Sequence, residues 1–126
     1  MNISDLLKGH KCVCGRTHTC GIKQAVIEAG AINSVYSLAA EYKKIVLVAD
    51  KNTYEVCGKK ISALLKEKLQ CEIVFEDSLL IPNEAAAERL NNAVSEETDL
   101  IFGVGSGVIQ DLCKYVSFRR GLPYYI

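Results

Sequence analysis

The stretch Asp99-Leu100-Ile101-Phe102-Gly103-Val104-Gly105-Ser106-Gly107-Val108-Ile109-Gln110-Asp111 constrains the fold of this chain more than any other. A short apolar run enters three glycines, and apolar residues at helical spacing follow at once. The pattern reads as a strand, a tight turn and a helix N-terminus. Backbone N–H groups at such a turn, with the positive end of the helix dipole, make a site for a phosphate. Side chains larger than those of Gly or Ser would block the anion. The competing reading is that the glycines only allow the helix to pack closely on the sheet. A strand before and a helix after is the context that phosphate binding requires.

The rest of the chain supplies the sheet around this turn. Ile45-Val46-Leu47-Val48-Ala49 is a continuous apolar run, as expected of a strand buried on both faces. Asn52 can cap the helix that follows, whose core stripe is Val56, Cys57, Ile61, Leu64, Leu65 and Leu69. Cys71 to Phe75 is a second strand. Asn83 can cap a helix running to about Val94, with Glu84 in its first turn. Leu100 to Phe102 is a third strand, and the helix after the glycines buries Val108, Ile109, Leu112, Cys113 and Val116. Gly121 can end that helix, and Pro123 to Ile126 begins a fourth strand. The alternation β-α-β-α-β-α-β implies an α/β fold with a parallel sheet and right-handed crossovers. Ligands in such sheets bind at the carboxyl ends of the strands. Two loops there carry polar residues, Asp50-Lys51-Asn52-Thr53 and the glycine turn.

Residues 1 to 30 are less regular. Ser4 can cap one helical turn to Lys8, Cys12 to Cys20 reads as a turn or hairpin, and Gln24 to Ala29 reads as a strand. No internal repeat or linker divides the 126 residues, so they are expected to form one domain. The chain stops inside the strand-like run Tyr124-Tyr125-Ile126, as expected of a piece of a longer protein.

Charge and composition remove several function classes. Lys plus Arg and Asp plus Glu both number 15, and no basic stripe marks a nucleic-acid surface. Lys59-Lys60 and Arg119-Arg120 read as solvated helix ends. No apolar stretch is long enough to span a bilayer, and no signal peptide opens the chain, so a cytoplasmic protein is expected. Cys57, Cys71 and Cys113 then read as small buried hydrophobes.

The remaining polar residues leave alternatives open. Asp50 closes an apolar strand, where it can accept from a ribose hydroxyl or serve as a cap. Asp111 can complement the helix dipole or hydrogen-bond a cofactor. Cys12, Cys14, His18 and Cys20 offer four soft ligands within nine residues, an acceptable tetrahedral zinc set at an unusual spacing. A plain hairpin with free thiols is the alternative. His10 and His18 are the only histidines, and neither a Ser-His-Asp nor a His-Glu-x-x-His arrangement is present.

Val46 to Asp50, Asp99 to Tyr115 and Gly121 to Tyr124 resemble the glycerol-1-phosphate dehydrogenases. These group with the glycerol dehydrogenases, iron-containing alcohol dehydrogenases and dehydroquinate synthases. Cys12-Val13-Cys14-Gly15-Arg16-Thr17-His18 resembles the opening of the bacterial branch. The resemblance implies a Rossmann-like NAD(P)-binding domain, with helices on both sheet faces and a small N-terminal hairpin before it. It implies NAD or NADP contacts at Gly105, Ser106, Gly107, Val108 and Asp111, and at the adenosine ribose through Asp50. The family's run of three glycines has Ser106 in the middle here, a small residue able to donate to phosphate. The catalytic metal (Zn²⁺, Ni²⁺ or Fe²⁺) belongs, by the same resemblance, to a helical domain absent from these residues.

The parent would interconvert dihydroxyacetone phosphate and sn-glycerol 1-phosphate, with glycerol as the alternative substrate, and would be a homo-oligomer. The fragment alone would be inactive. A small cytosolic zinc- or nucleotide-binding module, complete as it stands and not an enzyme, is the reading from another class.

Overall fold

The structure, a computed structural model, describes residue 5 and residues 7–126. The cap expected at Ser4 lies outside the described residues. Two compact units divide the chain, Met1–Ala31 and Ile32–Ile126.

In the first unit, β1 (His10–Lys11) pairs antiparallel with β2 (Thr17–His18), so that His10 faces His18 and Lys11 faces Thr17. The hairpin expected from the Cys12–Cys20 region is therefore present. No described residue of this unit is buried. Gln24 to Ala29, expected as a strand, has no strand structure, and only Val26 in it is even half-buried. A strand is held by a partner ladder, and among the described residues none pairs with this segment.

A 3₁₀ turn, Ala31–Ser34, leads into the second unit and runs on into α1 (Val35–Leu38). The strands β3 (Ile45–Asp50), β4 (Leu69–Phe75), β5 (Leu100–Val104) and β6 (Tyr124–Tyr125) form a parallel sheet in the order β4-β3-β5-β6. A long helix, α2 (residues 51–68), joins β3 to β4; α3 (Glu84–Ala93) joins β4 to β5, and α4 (Gly107–Arg120) joins β5 to β6.

Alternation along the strands sorts their side chains into two cores. Val46, Val48, Ile73, Phe75 and Ile101 meet α3 and α4 through Leu90, Ile109, Leu112 and Val116. Ile45, Leu47, Ala49, Leu100, Phe102 and Val104 meet α1 and α2 through Val35, Ile61 and Leu65. Helices therefore cover both faces, and the central strands β3, up to Ala49, and β5 are apolar, as two-sided burial requires. The edge strand β4 shows the contrast. Its exposed or half-exposed positions include Gln70, Glu72 and Val74, because one edge and part of one face meet water.

Several helix ends behave as their residues predict. The Asn83 carboxamide oxygen accepts from Ala86 N–H at 2.9 Å, and Gly121 ends α4 in the left-handed region at φ 65°. Others do not. Helix α2 is capped by Asp50 rather than Asn52: Asp50 Oδ1 accepts from Thr53 N–H at 2.9 Å in a capping box. The α2 stripe also breaks at Val56, which is 86% exposed. A π turn over Tyr54–Gly58 adds a residue to that turn and rotates Val56 outward. Tyr54 closes over Gly58, where a Cβ would stand 2.7 Å from the tyrosine ring.

Arg119 and Arg120 are not simple solvated ends either. Arg119 pairs with Glu88 at 3.1 Å, and Arg120 donates to Val94 O at 2.8 Å. Both tie α4 to α3 or to the residue just after it. Among the described residues no helix is long and apolar enough to cross a membrane.

Candidate functional site

The glycine turn sits where the sheet's strands end, and its three glycines serve different ends. Gly103 lies inside β5. A Cβ there would stand 2.7 Å from Cys113 Sγ and 3.3 Å from Ile109 Cγ2, so the glycine lets α4 lie against the strand. Gly105 is similar, with Ile109 Cγ1 at 2.7 Å from its notional Cβ. Around Gly107 nothing comes within 4 Å. Close packing thus explains Gly103 and Gly105 and leaves Gly107 without a packing reason.

What the turn offers outward is polar. Gly105, Ser106 and Gly107 are exposed. Ser106 is the N-cap of α4 by backbone geometry, but its hydroxyl makes no capping bond. The first intrahelical bond runs from Gln110 N–H to Ser106 O, and the N–H groups of Gly107, Val108 and Ile109 find no acceptor among the described residues. Val108 packs its side chain on the core, which fixes this first turn. Three N–H donors without an acceptor among the described residues, one hydroxyl and a fourteen-residue helix dipole suit a phosphate.

Thr53 joins this turn to the end of β3, a link the sequence did not announce. Its hydroxyl donates to Val104 O at 2.7 Å and accepts from Asp50 N–H at 3.2 Å. It also lies 3.2 Å from a Cβ placed on Gly105. Asp50 is consequently held beside the glycine turn with one carboxylate oxygen engaged as the α2 cap. The other oxygen has no partner among the described residues and remains available to a donor such as a ribose hydroxyl.

Asp111 stands one turn along α4, exposed. It lines an open groove of ≈ 630 Å³ with Pro82, Asn83, Glu84 and Tyr115, at the N-terminal end of α3. The structure thus assembles Asp50 with Gly105 through Thr53, and sets Asp111 toward the neighbouring helix. Cys113, expected as a buried hydrophobe, is fully buried, and burial pushes its thiol up to about 12. Cys57 and Cys71 are half-buried.

In the Met1–Ala31 unit, three of the four soft ligands come together. The ligand atoms of Cys12, Cys14 and His18 lie within 4.8 Å of one another, and Cys14 Sγ is 3.1 Å from His18 Nε2. Cys20 is exposed and stands outside the group. The Cys14 backbone N–H and thiol, as hydrogen-bond donors, hold the Cys12 thiol below its ordinary value. Among the described residues this is the one group of three or more metal-type ligands.

Comparison with known proteins brings one family forward. The profile of the iron-containing alcohol dehydrogenases matches residues 26–126. The glycerol-1-phosphate dehydrogenase (NAD(P)+) of Halalkalibacterium halodurans is 31% identical over 123 residues, which cover 90% of this chain and 31% of that protein. Its counterpart in Bacillus velezensis is 33% identical over 88 residues, 63% of this chain and 21% of that protein. The crystal structure of glycerol dehydrogenase from Schizosaccharomyces pombe superposes with a TM-score of 0.64 at 26% identity, covering 75% of this chain and 24% of that one. The chain spans about a third or less of the length of these proteins.

Proposed function

Since this chain belongs to the iron-containing alcohol dehydrogenase family, we propose that it is the NAD(P)-binding half of a metal-dependent dehydrogenase, one that interconverts dihydroxyacetone phosphate and sn-glycerol 1-phosphate. The observation that carries the reading is the exposed Gly105-Ser106-Gly107 lip, behind which the N–H groups of Gly107, Val108 and Ile109 have no acceptor among the described residues, with Asp50 tied to the same turn through Thr53. The lip takes the pyrophosphate. Asp50 accepts from the adenosine ribose with its free oxygen, and Asp111 hydrogen-bonds further along the cofactor. Bound NAD(P) supplies the hydride chemistry, and these residues hold it in place. A carboxylate at the ribose favours NAD over NADP, because it repels a 2′-phosphate.

Names borne by the relatives support the substrate assignment. The Schizosaccharomyces pombe structure supports glycerol as a second reading. Assay of a longer chain containing these residues, with glycerol 1-phosphate and with glycerol, separates the two. The catalytic metal ligands that the resemblance implies include two histidines, and residues 32–126 contain none. No step through a metal is derived from this chain, and the 126 residues alone are expected to show no turnover. Metal-dependent turnover by them would overturn the half-enzyme reading. We place the protein in the cytoplasm, where its six unpaired thiols stay reduced.

Titration of the chain with NAD⁺ and NADP⁺ tests the site. Gly107→Val puts a branched side chain on the open lip, and it is expected to weaken binding at least about tenfold, the equivalent of one charge-assisted hydrogen bond. Equal affinity in the wild type and a folded Gly107→Val variant would remove the lip from the cofactor site.

A further inference from the structure

The hairpin of the Met1–Ala31 unit lacks the usual means of holding itself together. Each of its strands is two residues long, and no described residue of the unit is buried. A two-stranded hairpin of that size is marginal in water without a staple. Yet its turn is well defined. Cys12 N–H donates to Arg16 O at 2.9 Å and Gly15 N–H to Cys12 O at 3.0 Å. Gly15 takes φ +81°, which side chains rarely adopt.

That turn gathers chemistry. It brings two thiols and one imidazole nitrogen within 4.8 Å of one another. Tetrahedral zinc, with bonds of about 2.0–2.3 Å, sets its ligand atoms about 3.3–3.8 Å apart. The present cluster is within about an ångström of that arrangement, and the 3.1 Å Cys14–His18 contact is slightly inside it. Two soft thiolates with an imidazole favour zinc over magnesium or calcium.

We propose that Cys12, Cys14 and His18 form a zinc site that staples the N-terminal hairpin. Cys20 contributes less than any of these three, because the fold leaves it outside the cluster. On binding, the two thiols release protons, the zinc takes up the two thiolate lone pairs and one imidazole lone pair, and a water oxygen fills the fourth tetrahedral position. Nothing is oxidised or reduced. Closing the Cys12–His18 turn on the metal adds binding free energy to folding free energy for this unit.

The test is metal titration of the whole chain, purified metal-free under reductant. Zn²⁺ is followed by competition with a chromophoric chelator, and Co²⁺ by its thiolate charge-transfer and tetrahedral d–d bands. One ion per chain is expected, with proton release on binding. Cys12→Ser, Cys14→Ser and His18→Ala are each expected to weaken binding on the order of 100-fold or more. Cys20→Ser is expected to weaken it far less. Circular dichroism of every variant checks the sheet, which contains none of these residues. Failure to bind zinc overturns the proposal, and so does binding unchanged in Cys12→Ser and Cys14→Ser. Binding lost in Cys20→Ser but kept in His18→Ala overturns it as well.

Discussion

The unit Met1–Ala31 and the unit Ile32–Ile126 solve the problem of stability in opposite ways. The second buries a sheet on both faces: Ile45, Leu47, Leu90, Leu100, Ile101, Ile109 and Leu112 are at most 2% exposed. The first buries nothing among its described residues. It leaves Val13 and Ile27 more than three-quarters exposed, and concentrates its chemistry in three ligand atoms. Apolar area is therefore the stabilising agent in one unit, and the described residues of the other supply almost none. The difference teaches where a functional reading can rest. In the sheet unit a polar group without a partner stands out against a satisfied core. In the hairpin no described residue is buried, and only the convergence of ligand atoms is informative.

The largest effects that sharpen this contrast are expected in the core. Leu90→Ala or Ile101→Ala, each fully buried, should destabilise the sheet unit by about 2–5 kcal/mol in denaturant unfolding. Val13→Ala, at a fully exposed position, should leave the unfolding midpoint unchanged. Comparable losses at the two kinds of position would break the comparison.

Next come the glycines, whose roles divide within five residues. Gly103→Ala places a Cβ 2.7 Å from Cys113 Sγ and should cost about 1–3 kcal/mol by overpacking. Gly107→Ala meets nothing within 4 Å and should leave stability unchanged or slightly raised. Equal destabilisation by the two would show that the lip is a packing device throughout.

Thiol chemistry gives a pH-dependent contrast. Burial raises Cys113 from 9.0 to about 12, so the folded state holds that proton more tightly than the unfolded one. The resulting stability is fully present below about pH 9 and is lost as pH climbs toward about 12. Near pH 8, alkylation followed by peptide mass mapping should find Cys14 and Cys20 modified and Cys113 protected until the sheet unfolds. Prompt labelling of Cys113 in the native protein would contradict its place in the core.

The smallest effect concerns Ser117, buried to 1% with a hydroxyl that has no hydrogen-bond partner among the described residues. Ser117→Ala removes an unsatisfied polar group and should be neutral or stabilising by up to about 1 kcal/mol in thermal or denaturant unfolding. A loss of that size instead would reveal a partner for the hydroxyl.

Much of the sheet unit was legible because its signals are local. The apolar run of β3, the Asn83 cap, the helical stripe of α4 and the stop at Gly121 each depend on residues within a turn or two of one another. Misreadings arose where a distant partner or an irregular local turn decides. Asp50 and Asn52 are both good caps, and the choice was made by how far β3 extends, which its pairing with β4 sets through Asp50 and Phe75. Val56 fits a regular helix stripe, but Tyr54 closing on Gly58 opens a π turn and expels it. Gln24 to Ala29 has acceptable strand composition and, among the described residues, no strand to pair with. Four ligands in nine residues looked like one set, and the turn at Gly15 gathered three.

By itself the sequence determined the order of strands and helices in the sheet unit, the strand-glycine-helix turn and the presence of soft ligands near the N-terminus. Periodicity and turn chemistry act over a few residues, so they can be read along the chain. Tertiary structure alone decided that Thr53 would bind Val104 O across 51 positions, that Gly103 and Gly105 serve packing while Gly107 stays open, and that Cys20 stands apart. Those outcomes depend on which surfaces meet when the helices settle on the sheet and the hairpin closes, and distances of that kind have no period in the sequence.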